Sequence, residues 1–167
     1  LKEASKTLNY LTEHGITEYD VLSERAETIA ADFEAVSTSI KQMEHRMEQI
    51  AALKTHIINY AKTRDTYVAY RKTKAADKPA FHTAHEADLL LHEAAKRAFD
   101  AQGVKKLPTV KVLQTEYADL LTKKKAAYED YKRLRKENQE LQAVKSNVDT
   151  LLRIEEEHQE KKQEQNR

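Results

Sequence analysis

The chain has 167 residues, of which 34% are charged and 40% hydrophobic, with a net charge of +1. It has two Gly, two Pro, no Trp and no Cys. So few turn residues exclude a sheet protein, and the Ala, Glu, Lys, Leu and Gln bias reads as long helix or coiled coil. The absence of Cys excludes disulfides and thiolate metal sites and is compatible with cytoplasm. No apolar run approaches the roughly 18 residues of a membrane span, so no membrane partner is expected. The chain opens on Leu1 rather than Met, which points to a segment of a longer polypeptide.

In chain order, a short helix is expected over residues 1–16, ended by Gly15 as a C-cap, with Leu8, Leu11 and Ile16 as its apolar side. Thr17 reads as the N-cap of a long helix over residues 17–74, with Glu18 and Asp20 matched to its dipole. Its seam is Leu22, Ala26, Ile29, Phe33, Val36, Ile40, Met43, Met47 and Ile50, at alternating steps of four and three. That is the 3.5-residue repeat of a left-handed coiled coil. The phase slips at Leu53 and resumes through Ile57, Tyr60 and Tyr67. Residues 75–108 are expected to hold a third helix, from about Ala80 to Gln102, between connections; Asp77 and Pro79 mark its start and Gly103 its end. Thr109 caps a second long helix over residues 109–163, and residues 164–167 are expected to fray. Its seam runs Val110, Leu113, Tyr117, Leu120, Lys124, Ala127, Tyr131, Leu134, Asn138, Leu141, Lys145, Val148 and Leu152.

The expected fold is therefore all-α. It is a long antiparallel coiled-coil hairpin, with a short helix at the tip and a short N-terminal helix at the base. Each long helix has about 55 residues and would span roughly 80 Å at 1.5 Å per residue. Pairing of the seams between chains, as in a homodimer, is an open alternative. Asn138 in the seam reads either as a register-setting polar residue or as a position too near solvent to matter.

Charge is segregated along the sequence. Residues 54–136 carry 19 Lys or Arg and 10 Asp or Glu, against 10 and 18 in the remainder. In a hairpin this makes one end basic and the base acidic. Six of the eight Tyr fall in the basic stretch: Tyr60, Tyr67, Tyr70, Tyr117, Tyr128 and Tyr131. Basic residues interleaved with rings suit nucleic acid, since cations neutralise phosphates and rings stack on unpaired bases. The candidate nucleic-acid-binding residues are Arg64, Tyr67, Arg71, Lys72, Lys96, Arg97, Lys105 and Lys106, taken to surround the turn. The competing reading is a solvated helix face with Tyr in the seam, or a surface for a protein partner.

Two Gly leave no phosphate-cradling loop. His82, His85 and His92, with Glu86 and Glu93, could line one helix face as zinc ligands, but the zincin spacing is missing and they read as ordinary helix histidines. No catalytic residue, metal or cofactor is nominated, and the chain is not expected to be an enzyme.

The stretches His56–Asp65, Tyr67–Lys72, His85–Phe99 and Gly103–Thr109 resemble the region behind the nuclease domain of Mob-type relaxases, the mobilization nucleases of Gram-positive conjugative transposons. The resemblance extends over most of the chain, from about Leu1 to Leu152. It implies a non-catalytic accessory domain in the bacterial cytoplasm, supporting conjugative DNA transfer. DNA is the implied partner, with relaxosome or coupling proteins as alternatives, or a role as spacer. The family's clustered metal-binding His motif has no counterpart here, so none of its catalytic residues carries over.

Overall fold

A computed structural model describes residues 2–167. It is all-α, with five helices and no strand among the described residues: α1 (Lys2–Glu13), α2 (Tyr19–Lys72), α3 (Lys78–Ala84), α4 (Glu86–Ala101) and α5 (Val110–Gln165). Two compact units divide the chain, the first Leu1–Ile40 with Lys125–Arg167 and the second Lys41–Lys124.

In the first unit, α2 and α5 run antiparallel. Tyr19 donates its hydroxyl to Asp149, Gln142 donates to the Ala26 carbonyl, and Phe33 packs on Tyr131. The α2 seam meets α5 in a core of Leu22, Ala26, Leu141 and Val144, which Ile16 joins; Val144, rather than the expected Lys145, is the buried position of α5 there. Helix α1 is the third side of this core. Its face is Thr7, Tyr10 and Leu11, and Thr7 accepts a hydrogen bond from Asn147 at 3.0 Å. Leu8, expected on that face, is 65% exposed, because it lies a third of a turn off the Thr7–Leu11 line.

Helix α1 ends in a Schellman motif. Gly15 at φ 62° puts its N–H on Thr12 O, and Ile16 N–H reaches Leu11 O. The motif turns Ile16 back against Leu11, so one glycine both satisfies the helix end and delivers a core residue. Helix α4 ends the same way. Gly103 at φ 65° bonds to Asp100 O, and Val104 N–H to Phe99 O, placing Val104 against the core that holds Phe99.

The second unit is built on α2, α4 and α5. Here too α2 and α5 are antiparallel, with Lys124 on Glu44 at 3.0 Å and Arg46 gripping Glu116 through two hydrogen bonds of 2.7 and 3.1 Å. The core is Ile50, Leu53, Ala95, Phe99 and Leu113. Leu53 is where the heptad phase of α2 slips, and it is where α4 enters as a third helix. From there α2 turns its seam toward α4. Tyr60 meets Phe99, Thr63 meets His92, Thr66 meets Asp88, and Tyr70 meets Phe81. Helix α4 therefore lies back along α2, burying Leu89, His92, Ala95 and Phe99.

Several expected boundaries move. The third helix is two, since the backbone at His85 (φ −125°, ψ 24°) interrupts it, while Phe81 stacks on His85 at 4.3 Å. Asp77 precedes α3 in αR geometry, and its side chain makes no cap; Pro79 lies in the first turn, as its fixed φ favours. Helix α2 begins at Tyr19, with Leu22 N–H on Glu18 O, rather than at Thr17. Thr109 does cap α5, accepting from Val112 N–H at 3.2 Å. Helix α5 continues to Gln165, past the expected stop, because its last residues are good helix formers.

Candidate functional site

The seven candidate cations all belong to the second unit, and all are exposed. Arg64, Arg71 and Lys72 project from α2, Lys96 and Arg97 from α4, and Lys105 and Lys106 from the α4–α5 connection. None of them makes an ion pair among the described residues. Other cations of the unit do: Arg46 with Glu116, Lys123 with Asp119, and Lys124 with Glu44. The unit carries 16 Lys or Arg and 10 Asp or Glu, while the first unit carries 13 and 18. Its net positive charge is therefore held largely by side chains with no carboxylate beside them.

The candidates do not surround one turn. Because α4 returns along α2, Arg71 and Lys72 lie near its start and Lys105 and Lys106 follow its end. Sixteen helical residues separate the two pairs, about 24 Å at 1.5 Å per residue. Arg64 and Arg71 are one heptad apart on α2, and Arg64, Tyr67, Lys96 and Arg97 fall between the two pairs. The candidates are therefore spread over that length, which equals about seven phosphate spacings of one strand at 3.4 Å each. Arg71 and Lys72 also occupy the last turn of α2, where a cation complements the helix dipole.

Tyr67 is half-buried. Its ring stacks on His92 (4.3 Å between centroids) and lies under the Lys96 ammonium (5.1 Å), and the Lys96 Nζ is 3.5 Å from the Tyr67 hydroxyl. Half-buried as it is, this ring is committed to packing within the unit. Tyr60 stacks on His92 as well, at 4.5 Å, so the imidazole is held between two rings.

His92 is 1% exposed, and sequence reasoning did not foresee its burial. The Thr63 hydroxyl donates to the Asn59 carbonyl (2.7 Å), so the 3.0 Å contact between Thr63 Oγ1 and His92 Nδ1 has the imidazole as donor. That fixes the Nδ1–H tautomer. Burial first, and the Lys96 ammonium second, hold the His92 pKa below its ordinary value, against smaller opposing effects of Glu93 and the Tyr60 backbone. A neutral, enclosed imidazole of this kind is a packing group. His82 and His85 lie against Tyr70 and Phe81, and among the described residues no three His, Asp or Glu converge as metal ligands.

The two lysines of the expected α5 seam make charge pairs. Lys124 meets Glu44 across the helices, and Lys145 meets Asp149, which also accepts from Tyr19. Asn138 accepts from Gln142 at 3.4 Å, and it is Gln142 that reaches the α2 backbone. Where the seam slips phase at Leu53, the chain's own α4 packs against α2. No described helix is long and apolar enough to cross a membrane. Comparison of the chain with known protein families, with curated proteins and with solved structures finds no match.

Proposed function

We propose that this chain is a non-catalytic helical accessory segment of a conjugative relaxase, working in the bacterial cytoplasm. In this reading it holds the DNA backbone near the nuclease through the cations of the second unit. The observation that carries it is the set of seven exposed Lys and Arg without carboxylate partners, spread over about 24 Å along α2, α4 and the α4–α5 connection. Unpaired exposed cations are the groups that exchange counterions for phosphates, whereas those already in ion pairs contribute less. The resemblance of His56–Lys72, His85–Phe99 and Gly103–Thr109 to the relaxase region supplies the context of DNA transfer.

The test is DNA affinity measured from 50 to 200 mM salt. Reversal of four charges (Arg71→Glu, Lys72→Glu, Lys105→Glu, Lys106→Glu) is expected to weaken binding at every salt concentration. It should also reduce the slope of log K against log salt by about 3 to 4, near 0.9 per lost phosphate contact. Unchanged affinity and slope in that variant would remove the basis of the proposal.

A further inference from the structure

A second aromatic and basic feature lies in the first unit, apart from those cations. Phe33 on α2 packs against Tyr131 on α5 (5.2 Å, tilted), and Tyr131 stacks on Tyr128 (5.7 Å, planes 11° apart). The three rings form a ladder that begins in the α2–α5 seam, half-buried, and ends at Tyr128, which is 47% exposed. The exposed Lys132 ammonium lies over the Tyr128 ring, 5.0 Å from its centroid, where an incoming base would displace it. Lys125, Tyr128, Lys132 and Arg135 follow at steps of three and four, so they share about a quarter of the helix circumference. All four are exposed. Lys132 has a 3.5 Å pair with Glu129, both more than half exposed, while Lys125 and Arg135 make no ion pair among the described residues.

Tyr128 keeps about half of its surface in water while one neighbour, Tyr131, lies parallel to it and is itself packed on Phe33 in the seam. Such a ring is preorganised to accept another flat group, losing little side-chain freedom on binding. Cations on either side along the helix suit the phosphates that flank an unpaired base. In a duplex the bases are stacked already and present no ring face.

We infer that Tyr128 is a stacking site for an unpaired nucleobase of single-stranded DNA, with Lys125, Lys132 and Arg135 holding the adjacent phosphates. This deepens the DNA-contacting reading above, and rests on it. It adds a strand preference that the cations of the second unit do not carry.

The experiment measures binding of the 167-residue chain to fluorescent oligo-dT of twenty nucleotides and to a twenty-base-pair duplex. Tyr128→Ala is expected to weaken oligo-dT binding by about 5- to 100-fold, the range for one lost base stack, and to leave duplex binding within about twofold. Tyr128→Phe keeps the ring and should bind both as the wild type does. The inference is overturned if Tyr128→Ala binds oligo-dT normally, or if it loses both ligands equally. The fourfold charge reversal, run in parallel, separates the two ideas. Its weakened binding beside a silent Tyr128→Ala leaves the DNA reading standing and removes this one. Failure of the wild type to bind either ligand removes both.

Discussion

His92 is enclosed, and its burial, with Lys96 second, disfavours a second proton on its ring. Tyr60 and Tyr67 cover its faces, Thr63 accepts its Nδ1–H, and Lys96 stands one turn along α4; Glu93 beside it is the nearest opposing charge. In the unfolded chain an imidazole titrates near 6.5, and in the fold its pKa is lower. Between those two values the unfolded chain binds a proton that the native chain does not. The contribution of neutral His92 to stability is therefore complete above about pH 6.5 and is lost as pH falls through the lowered folded value. Thermal melting between pH 7.5 and 5 should show this decline, and His92→Gln, which cannot titrate, should flatten it. An identical pH slope in wild type and variant would mean that other groups set the acid sensitivity. None of this was legible in the sequence, where His92 stands among Leu91, Glu93 and Ala94 without any sign of which face is covered. The glycines were legible, because only a residue tolerant of positive φ fits a helix end that reverses, and Gly15 and Gly103 both sit there.

Among the helices, α4 shows where pattern reading stops. The α2 seam from Leu22 to Ile50 could be taken directly from the four-three spacing, and every one of those positions is buried or half-buried. The partner of Tyr60 and Tyr67 could not, because periodicity names a face but not what covers it. It is α4 that covers that face, folding back along α2 within the same chain. Ala95 is its most enclosed residue. It is 0% exposed, in a core supplied by α2, α4 and α5. A methyl group fits there and a longer side chain does not. Ala95→Leu should cost about 1–3 kcal/mol, lowering Tm by several degrees in a chain of this size. Ala87→Leu, at an exposed position on the same helix, should change stability by less than about 0.5 kcal/mol. Calorimetry of the two variants tests the assignment; equal effects would show that Ala95 is not confined.

At the level of the whole molecule, the all-α class, the antiparallel pairing in each unit and the segregation of charge were legible in the sequence. The spacing of the candidate cations was not: the return of α4 along α2 puts its length between Arg71–Lys72 and Lys105–Lys106, and no periodicity announces that return. The ladder ending at Tyr128 was missed for a related reason: Tyr128 lies one turn from a seam residue, and only the tilt of Tyr131 on Phe33 reveals that the rings continue outward.

Helix α2 begins at Tyr19, opposite Asp149, whereas α5 runs on to Gln165 with every residue after Asp149 exposed. Those last turns are held by local hydrogen bonds alone, and such segments open with the smallest free-energy cost. A protease that needs about ten residues of opened backbone will find them there first. Brief trypsin treatment should cut after Arg153, Lys161 or Lys162 before it cuts after Arg133 or Lys136, as mass spectrometry would show, trimming the chain without dismantling either core. Early cleavage within 125–136 would instead make the middle of α5 its weakest stretch.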